Sequence, residues 1–272
     1  MSPTKEPSIC VVLPTYNEAD NLSSMVTAIA TKLSDMSSNY VILVVDDNSP
    51  DGTGNIAANL ATQNEHLAVL HRRDRQGLGR AYIAGFRWAL EQGSEVVLQM
   101  DSDFSHDPSD ISRLVEASRS ADLVLGSRYV PGGKVEHWGV VRRLLSSAGC
   151  WYARMMLHVR IRDITGGFKC FRREVLEAVL SSDLRTSGYG FQIEVTYRTL
   201  RAGFVVNEIP IVFHERRAGV SKMSARIAVE AAWQVLALKL VQWRPTSPSS
   251  IDSPVTVDNL PDALDTTGTG SR

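Results

Sequence analysis

Short apolar runs alternate with amphipathic segments along the first half of the chain. The apolar runs are typical of buried strands in a parallel sheet, and they lie at 9–13, 41–45, 67–70, 96–100 and 123–125. Between them, apolar residues recur at helical spacing near 20–34, 54–62, 79–92 and 108–119. This alternation predicts a doubly wound α/β fold, in which a mostly parallel sheet is flanked by helices and ligands bind at the carboxyl ends of the strands.

Two longer helices are predicted in the second half. From Trp138 to Leu157, apolar residues occupy one side, and Arg142, Arg143 and Ser146 occupy the other. The second helix runs from about Ser221 to about Trp243 and carries only a narrow polar stripe. The composition then changes, because residues 245–272 contain four prolines and no aromatic residue. We therefore predict one folded domain over residues 1–241 and a disordered polar tail over residues 242–272.

The composition narrows the class of protein. The 272 residues are 43% hydrophobic and 22% charged, which suits one large globular domain and excludes a mainly disordered chain. Three scattered cysteines are too few for a disulfide framework and favour a reducing, cytoplasmic setting. The N-terminus has no apolar signal-peptide core, and no run reaches the roughly 18 apolar residues of a membrane-spanning helix.

The net charge of −1 conceals an uneven distribution. Residues 1–127 hold 17 acidic and 9 basic side chains, whereas residues 128–241 hold 9 acidic and 18 basic side chains. This division favours an acidic half that holds a metal ion and a basic half that faces anions. The alternative is a chance distribution over one mixed surface.

Two carboxylates follow the fourth predicted strand. Asp101 and Asp103 are one residue apart, so both side chains can reach one divalent ion, and Mg²⁺ and Mn²⁺ prefer oxygen ligands. The alternative is a solvated loop in which aspartates cap helices. Asp107 precedes Pro108 and is predicted to be such a cap.

Polar residues also follow the first two predicted strands. After the second strand, Asp46 or Asp47 is a candidate to bind a ribose or base, although Asp51-Gly52 also fits a turn and helix cap. After the first strand, Tyr16 offers a face for a nucleobase and Glu18 offers acceptors for it. The alternative there is a proline turn at the start of a helix.

These motifs stand in the order seen in family 2 glycosyltransferases with the GT-A fold, and the chain resembles that family over about residues 8–241. Within the family, the later motifs are similar to those of the dolichol-phosphate mannose synthases and their bacterial polyprenol-phosphate counterparts. The motifs that carry the resemblance are Pro14-Thr-Tyr-Asn-Glu18, Asp46-Asp-Asn-Ser-Pro-Asp-Gly-Thr53, Gly77-Leu-Gly79, Asp101-Ser-Asp103, Gly126-Ser-Arg-Tyr129, Asp163-Ile-Thr-Gly-Gly-Phe168, Gly188-Tyr-Gly-Phe-Gln192 and Arg216-Arg-Ala-Gly-Val-Ser-Lys222.

The resemblance implies a GT-A, Rossmann-like catalytic domain over residues 1–241 and a metal-dependent, inverting reaction. Mannose would pass from GDP-mannose to a polyprenyl (dolichyl-type) monophosphate, with GDP as the second product and Mg²⁺ or Mn²⁺ as cofactor. Three alternatives stay open. The chain would be a UDP-glucose-dependent polyprenyl-phosphate glucosyltransferase, a non-catalytic sugar-nucleotide-binding subunit, or an enzyme that transfers a nucleotide onto a sugar phosphate.

The resemblance also implies residue roles. Asp101 and Asp103 would hold the metal ion, and Ser105 stands where some relatives have a further ligand. Arg128, Arg142 and Ser146 would bind the acceptor phosphate, and both arginines count as catalytic together with the two aspartates. The residues implied for donor binding are Pro14, Tyr16, Glu18, Val45, Asp47, Asp101, Ser102, Asp103, Arg128, Arg216 and Lys222. The alternatives are that Arg128 only pairs with a carboxylate in the acidic half of the chain and that Arg142 only solvates a helix face.

A lipid acceptor implies contact with a membrane. Residues 128–162 carry a net charge of +6 and include Trp138, Trp151 and Tyr152, a pattern typical of an amphipathic helix that lies on a membrane. The alternative is that its apolar stripe packs on the protein's own sheet. We expect peripheral attachment to the cytoplasmic face of the membrane, an integral-membrane partner protein as a possible addition, and no nucleic-acid partner.

Overall fold

The computed structural model describes residues 8–184, 186, 188–215 and 225–240. Strands and helices alternate from β1 to β5, and a short 3₁₀ turn at Pro108–Asp110 precedes α4. In chain order the elements are β1 Ile9–Thr15, α1 Ala19–Ser34, β2 Tyr40–Asp46, α2 Thr53–Ala61, β3 Leu67–His71, α3 Leu78–Glu91, β4 Val96–Gln99, α4 Ile111–Ala117, β5 Leu123–Ser127, β6 Lys134–Val135, α5 Val140–Leu157, β7 Lys169–Arg172, α6 Arg173–Val179, α7 Gly188–Arg201, β8 Val206–Pro210, β9 Val212–Phe213 and α8 Ala225–Leu240.

Seven strands form the central sheet in the order β3-β2-β1-β4-β7-β5-β8. All neighbouring pairs are parallel except those of β7, which runs antiparallel to both β4 and β5. The prediction of a mostly parallel α/β sheet is therefore confirmed, and the five predicted strands are all present. The sequence did not indicate β7, because its four residues include two basic side chains and show no apolar run.

Helices cover both faces of the sheet, so the core has two layers. Along β1, Cys10 and Val12 face the layer formed by α3 and α5 to α8, whereas Ile9, Val11 and Leu13 face the layer that includes α1, α2 and α4. This alternation follows from the two-residue period of a strand. Because both faces are covered, strands such as β1 and β2 are apolar along most of their length.

The helix predicted from Trp138 is α5, which begins at Val140. It packs beside α8, where Tyr152 donates a hydrogen bond to the carbonyl oxygen of Ala232, 3.2 Å away. The predicted helix from Ser221 to Trp243 is described from Ala225 to Leu240. The predicted tail over residues 242–272 lies outside the described residues.

Candidate active site

The carboxyl ends of β1, β2 and β4 lie side by side in the sheet. Thr15 of β1 pairs with Asp46 of β2, and Val12 of β1 pairs with Gln99 of β4. The hydroxyl of Ser102 donates to the carbonyl oxygen of Pro14, 3.1 Å away, so the segments after β4 and β1 are in contact. The polar segments that follow β1, β2 and β4 therefore lie side by side along the carboxyl-terminal edge of the sheet.

Neighbouring groups orient the two carboxylates after β4. Tyr82 donates a hydrogen bond to Oδ1 of Asp101 over 2.8 Å, and the amide of Asp101 donates to Nδ1 of His106 over 3.2 Å. Oδ1 of Asp103 accepts the amide of Ser105 at 3.0 Å. Burial raises the pKa of Tyr82 well above its usual range and Asp101 adds to this effect, so the hydroxyl stays protonated as a donor.

Asp107, in the same loop, has the separate role that the sequence predicted. Its Oδ1 accepts the amide of Ser109 at 2.8 Å, and Pro108 occupies the first position of the turn that follows. This geometry is that of an N-cap. Asp107 therefore has a structural role, and the prediction of a metal ion rests on Asp101 and Asp103.

The chemistry of this loop fits a divalent cation. Ser105 is 1% exposed, and its Oγ has no hydrogen-bond partner, so a polar atom is available beside Asp103. Within the described ranges, no group of three or more His, Cys, Asp or Glu side chains could hold a metal ion. Two carboxylates suffice for Mg²⁺, because this ion commonly completes its shell with substrate phosphates and water.

Two arginines reach the residues predicted to bind a nucleotide. Arg72 forms an ion pair with Asp47, and the guanidinium of Arg75 lies 3.9 Å from the ring centroid of Tyr16. Burial raises the pKa of Asp47, and the charge of Arg72 opposes this rise. Oε2 of Glu18 accepts a hydrogen bond from the side chain of Asn21 at 2.9 Å. Both arginines follow β3, and the sequence had not indicated them.

Other residues near this edge have structural contacts. Oδ1 of Asp51 accepts the amide of Thr53 at 3.0 Å, so a turn is present there, and Gly52 occupies the N-cap position of α2 without a side-chain cap hydrogen bond. Oδ1 of Asp46 accepts the hydroxyl of Ser49 at 2.6 Å. Pro14 and Val45 are both buried in their strands.

Arg128 is held by Asp163, which is 0% exposed. Nε of Arg128 lies 2.7 Å from Oδ2 and Nη2 lies 2.7 Å from Oδ1, while the amide of Arg128 also donates to Oδ2 at 2.9 Å. Burial alone would raise the pKa of Asp163, but the guanidinium lowers it below its usual range. The alternative in which Arg128 pairs with a carboxylate is therefore found, although this carboxylate comes from the basic half of the chain.

Trp138 brings the two predicted phosphate-binding arginines together. The guanidinium carbon of Arg142 lies 4.1 Å from the indole centroid, and that of Arg128 lies 5.6 Å from it. Nη1 of Arg142 is 3.5 Å from Glu215. Arg142 is thus not a freely solvated residue of the α5 surface. These contacts place both guanidinium groups against one indole ring, and each of them is also paired with a carboxylate.

Ser146, the third predicted acceptor residue, is linked to the same group. The hydroxyl of Tyr129 donates to Oγ of Ser146 over 2.8 Å, and the guanidinium of Arg128 lies 5.2 Å from the Tyr129 ring centroid. The structure therefore brings Arg128, Arg142 and Ser146 to one region at the start of α5.

An aromatic cluster joins the acidic loop to the arginines. His106 stacks on Phe168 at 5.0 Å and meets the edge of Phe213 at 5.4 Å, and Phe213 lies 5.4 Å from the guanidinium carbon of Arg128. Burial lowers the pKa of His106, although Asp101 opposes this, so the ring is neutral and accepts a hydrogen bond. The acidic and basic halves of the sequence thus meet at this cluster.

Two predicted donor residues, Arg216 and Lys222, lie outside the described residues. Residue patterns alone assigned no role in the site to Tyr82, His106, Trp138 or Asp163. Asp163 is the first residue of the motif Asp163–Phe168, and Tyr82 lies three residues after the motif Gly77–Gly79. Those two motifs were the sequence features that could have pointed to these residues.

Comparison with known proteins agrees with this geometry. The chain is 46% identical over 227 residues to the undecaprenyl-phosphate mannosyltransferase of Micrococcus luteus, a match that covers 84% of this chain and 92% of the relative. It is 47% identical over 227 residues to the polyprenol monophosphomannose synthase of Mycolicibacterium smegmatis, covering 83% of this chain and 84% of the relative.

Solved structures share the fold. Glucosyl-3-phosphoglycerate synthase from Mycobacterium tuberculosis, in complex with Mn²⁺, UDP-glucose and phosphoglyceric acid, matches with a TM-score of 0.62 at 19% identity, covering 87% of this chain and 81% of that one. A mannosyltransferase from Pyrobaculum calidifontis, in complex with GDP-Man and Mn²⁺, matches with a TM-score of 0.62 at 20% identity, covering 90% and 68%. The expected GT-A fold is thereby confirmed.

The family follows from these matches. Residues 10–180, which include the acidic loop after β4 and the Arg128–Asp163 pair, match the family described as glycosyl transferase family 2. The two relatives above, named as a mannosyltransferase and a mannose synthase, are similar to this chain over more than four fifths of its length. The chain therefore belongs to glycosyl transferase family 2 and is a glycosyltransferase.

Proposed function

We propose that this protein transfers mannose from GDP-mannose to a polyprenyl monophosphate, with inversion at the sugar's anomeric carbon and release of GDP. The observation that carries the proposal is that one aromatic cluster borders both the Asp101–Asp103 loop and the paired Arg128 and Arg142. One group suits a metal-bound diphosphate and the other suits a second phosphate. The names of the two relatives supply the sugar and the class of acceptor.

The reaction requires positioning more than proton transfer. An oxygen of the acceptor phosphate forms a bond to the anomeric carbon, and the bond from that carbon to the diphosphate oxygen breaks, so GDP leaves with the electron pair. A phosphate monoester is already an anion near neutral pH, since its second pKa is about 6, and it needs no strong base. Arg128 and Arg142 would hold it, and Asp163 fixes the plane of the Arg128 guanidinium.

Asp101 and Asp103 would hold Mg²⁺ or Mn²⁺, and the unpartnered hydroxyl of Ser105 would bind the ion or one of its waters. Such a cation supplies positive charge beside the diphosphate leaving group. Arg216 and Lys222 would add further charge at the diphosphate, by the family resemblance alone.

The nucleotide would lie over the ends of β1 and β2. Tyr16 would stack on the base, and Glu18 and Asp47 would accept its hydrogen bonds or those of the ribose. Pro14 and Val45 would contribute backbone contacts because their side chains are buried. The hydroxyl of Ser102 points to Pro14, so its backbone would face the donor.

The apolar surface of α5 supports contact with a membrane. The N-terminal part of its apolar stripe is uncovered, because Val141 is 71% exposed and Leu144 is 64% exposed, whereas Tyr152 and Met156 pack against the core. Apolar side chains of α8 are also exposed. The exposed apolar residues of the two helices, which we call the α5–α8 surface, are Val140, Val141, Leu144, Leu145, Trp151, Met155, Trp233 and Leu240.

The α5–α8 surface would dock on the cytoplasmic face of an anionic membrane, with basic residues such as Arg143 beside the headgroups. Among the described residues, none of the helices is both long and apolar enough to cross a bilayer. This proposal brings the acceptor lipid to Arg142 and Ser146, which belong to the same helix. A membrane-spanning partner protein is the second candidate occupant.

The deciding experiment offers the purified protein a choice of donors. Polyprenyl phosphate and Mn²⁺ or Mg²⁺ are mixed with labelled GDP-mannose or labelled UDP-glucose, and label is measured in an organic-soluble, mild-acid-labile product. We expect transfer from GDP-mannose and loss of transfer in Asp101→Asn. Transfer from UDP-glucose alone would overturn the donor. Transfer from neither, with nucleotide binding intact, would favour the binding-subunit alternative.

A further inference from the structure

Tyr82 lies beneath the Asp101–Asp103 loop. It belongs to α3, its side chain is 0% exposed, and its hydroxyl is 2.8 Å from Oδ1 of Asp101. Oδ1 of Asp101 therefore already accepts a hydrogen bond from the protein. The other oxygen, Oδ2, lies on the side of Gly167, where a Cβ built on the glycine would be 3.7 Å from it. The two oxygens of one carboxylate thus have different surroundings.

Stacked rings hold Tyr82 in place. Its ring is parallel to that of Phe191, with an interplanar angle of 1° and centroids 6.0 Å apart, and the Phe86 centroid lies 5.8 Å away. Gly79 permits this packing, since a Cβ at that position would come within 3.0 Å of Cγ of Phe191. The Tyr82 hydroxyl therefore has little freedom to move away from Asp101.

A second buried contact from α7 braces the end of β4. Nε2 of Gln99, two residues before Asp101, donates to Oε1 of Gln192 at 2.7 Å and to the carbonyl oxygen of Gly167 at 2.9 Å. Phe191 and Gln192 are adjacent, so one turn of α7 supports both Tyr82 and β4. The motifs at Gly77–Gly79 and Gly188–Gln192, to which the sequence assigned no role, meet at this point.

We propose that Tyr82 is a positioning residue for Asp101, whose hydroxyl fixes the carboxylate so that Oδ2 binds the divalent cation of the donor complex. The inference rests on the proposed function, because it assumes that Asp101 is a metal ligand. Groups that hydrogen-bond to metal ligands orient them, and their loss typically weakens metal affinity about 10- to 100-fold.

The test measures Mn²⁺ affinity in Tyr82→Phe, which keeps the stacked ring and removes the hydroxyl. Free Mn²⁺ is followed by electron paramagnetic resonance during titration of the protein with GDP present and without acceptor. We expect binding about 10- to 100-fold weaker than in the wild type. Tyr152→Phe is the matched control, because it removes a hydroxyl that bonds to Ala232 in α8 and should leave Mn²⁺ affinity within about twofold.

A melting temperature and a steady-state assay complete the test. If Tyr82→Phe melts close to the wild type and binds Mn²⁺ equally well, the proposal is overturned. A purely structural role would lower the melting temperature without weakening Mn²⁺ binding, which also overturns it. In the transfer assay, we expect Tyr82→Phe to need a higher Mn²⁺ concentration for half-maximal turnover than the wild type. At saturating Mn²⁺, its turnover should recover.

Failure of this proposal and failure of the proposed reaction give different results. A wild type that binds Mn²⁺ with GDP but transfers no mannose overturns the reaction and leaves the comparison with Tyr82→Phe valid. A wild type that transfers mannose, with Tyr82→Phe binding Mn²⁺ normally, overturns only the positioning role. Absence of Mn²⁺ binding by the wild type overturns the positioning role, while the reaction is still decided by the transfer assay with either cation.

Discussion

Arg128 and Asp163 form a buried two-point ion pair, in which Nε and Nη2 of the arginine lie 2.7 Å from Oδ2 and Oδ1 of the aspartate. Glu208 holds the aspartate's own backbone, since its Oε1 accepts the amide of Asp163 at 2.8 Å. A guanidinium bound at two points has a fixed plane. The pair therefore orients a residue proposed to bind the acceptor phosphate.

Replacement of Asp163 by asparagine should destabilise the protein strongly. The change leaves the buried Arg128 cation without its counter-charge, and loss of one partner of a buried pair costs about 3–5 kcal/mol. The free energy of unfolding, measured in urea, is expected to fall by about that amount. The matched control is Glu116→Gln, which removes an exposed pair with Arg119 and should cost less than about 1 kcal/mol. Equal effects in the two variants would contradict the prediction.

The same pair predicts a loss of stability in acid. The pKa of Asp163 lies below its usual range in the folded protein, while an unfolded aspartate has a pKa of about 3.9. Its contribution is therefore fully present above the unfolded pKa and is lost as the pH falls through the folded pKa. The stability difference between wild type and Asp163→Asn should be constant above about pH 5 and should shrink below about pH 4. A difference independent of pH down to pH 3 would oppose this.

Lys169 predicts that stability also rises with pH, but over a higher pH range. Burial lowers its pKa to about 7, which the charge of Asp163 partly opposes, and its Nζ donates to the carbonyl oxygen of Gln192 at 2.8 Å. An unfolded lysine has a pKa of about 10.4, so the unfolded chain binds more protons between these values and stability rises with pH.

The variant Lys169→Met isolates this effect from other groups that titrate in the same range, such as the three buried cysteines. Relative to the variant, the wild type should gain up to about 1.4 kcal/mol of unfolding free energy per pH unit between about pH 7 and pH 10. Urea unfolding at several pH values gives both profiles. Parallel profiles would show that Lys169 is charged in the folded protein throughout this range.

Tyr16 should contribute to nucleotide binding through its ring. Stacking of a base on an aromatic side chain is worth about 1–3 kcal/mol, so Tyr16→Ala should weaken GDP binding about 5- to 150-fold in calorimetry. Tyr16→Phe keeps the ring and should bind GDP within a few fold of the wild type. Unaltered affinity in Tyr16→Ala would place the base elsewhere and leave the ring to Arg75, whose guanidinium is 3.9 Å from it.

The α5–α8 surface should mediate vesicle binding. Leu144 and Leu145 are 64% and 57% exposed, so Leu144→Glu with Leu145→Glu should weaken binding to vesicles with anionic lipids at least about tenfold without lowering the melting temperature. Val205→Glu is the matched control, because that residue is 58% exposed and precedes β8. Flotation of both variants tests this. Equal binding by the double variant and the wild type would exclude this surface.

Much of the fold was predictable because periodicity is a local property. The strands β1 to β5 and the helices α1 to α4 follow from apolar runs and helical spacing within a few residues of each element. The grouping of Tyr16, Asp47 and Asp101 followed as well, since the carboxyl ends of parallel strands share one edge of a sheet. The aspartate cap at Asp107 needed only its neighbour Pro108.

The sequence by itself thus determined five of the seven strands of the central sheet, the helices between them and the acidic edge. Only the tertiary structure decided which distant groups meet. Asp163 reaches Arg128 across 35 residues, and Tyr82 reaches Asp101 across 19. It also decided that β7 separates β4 from β5 and that the N-terminal part of the α5 apolar stripe faces outward. These relationships depend on how whole helices and strands pack against one another, and residue spacing along the chain does not determine that packing.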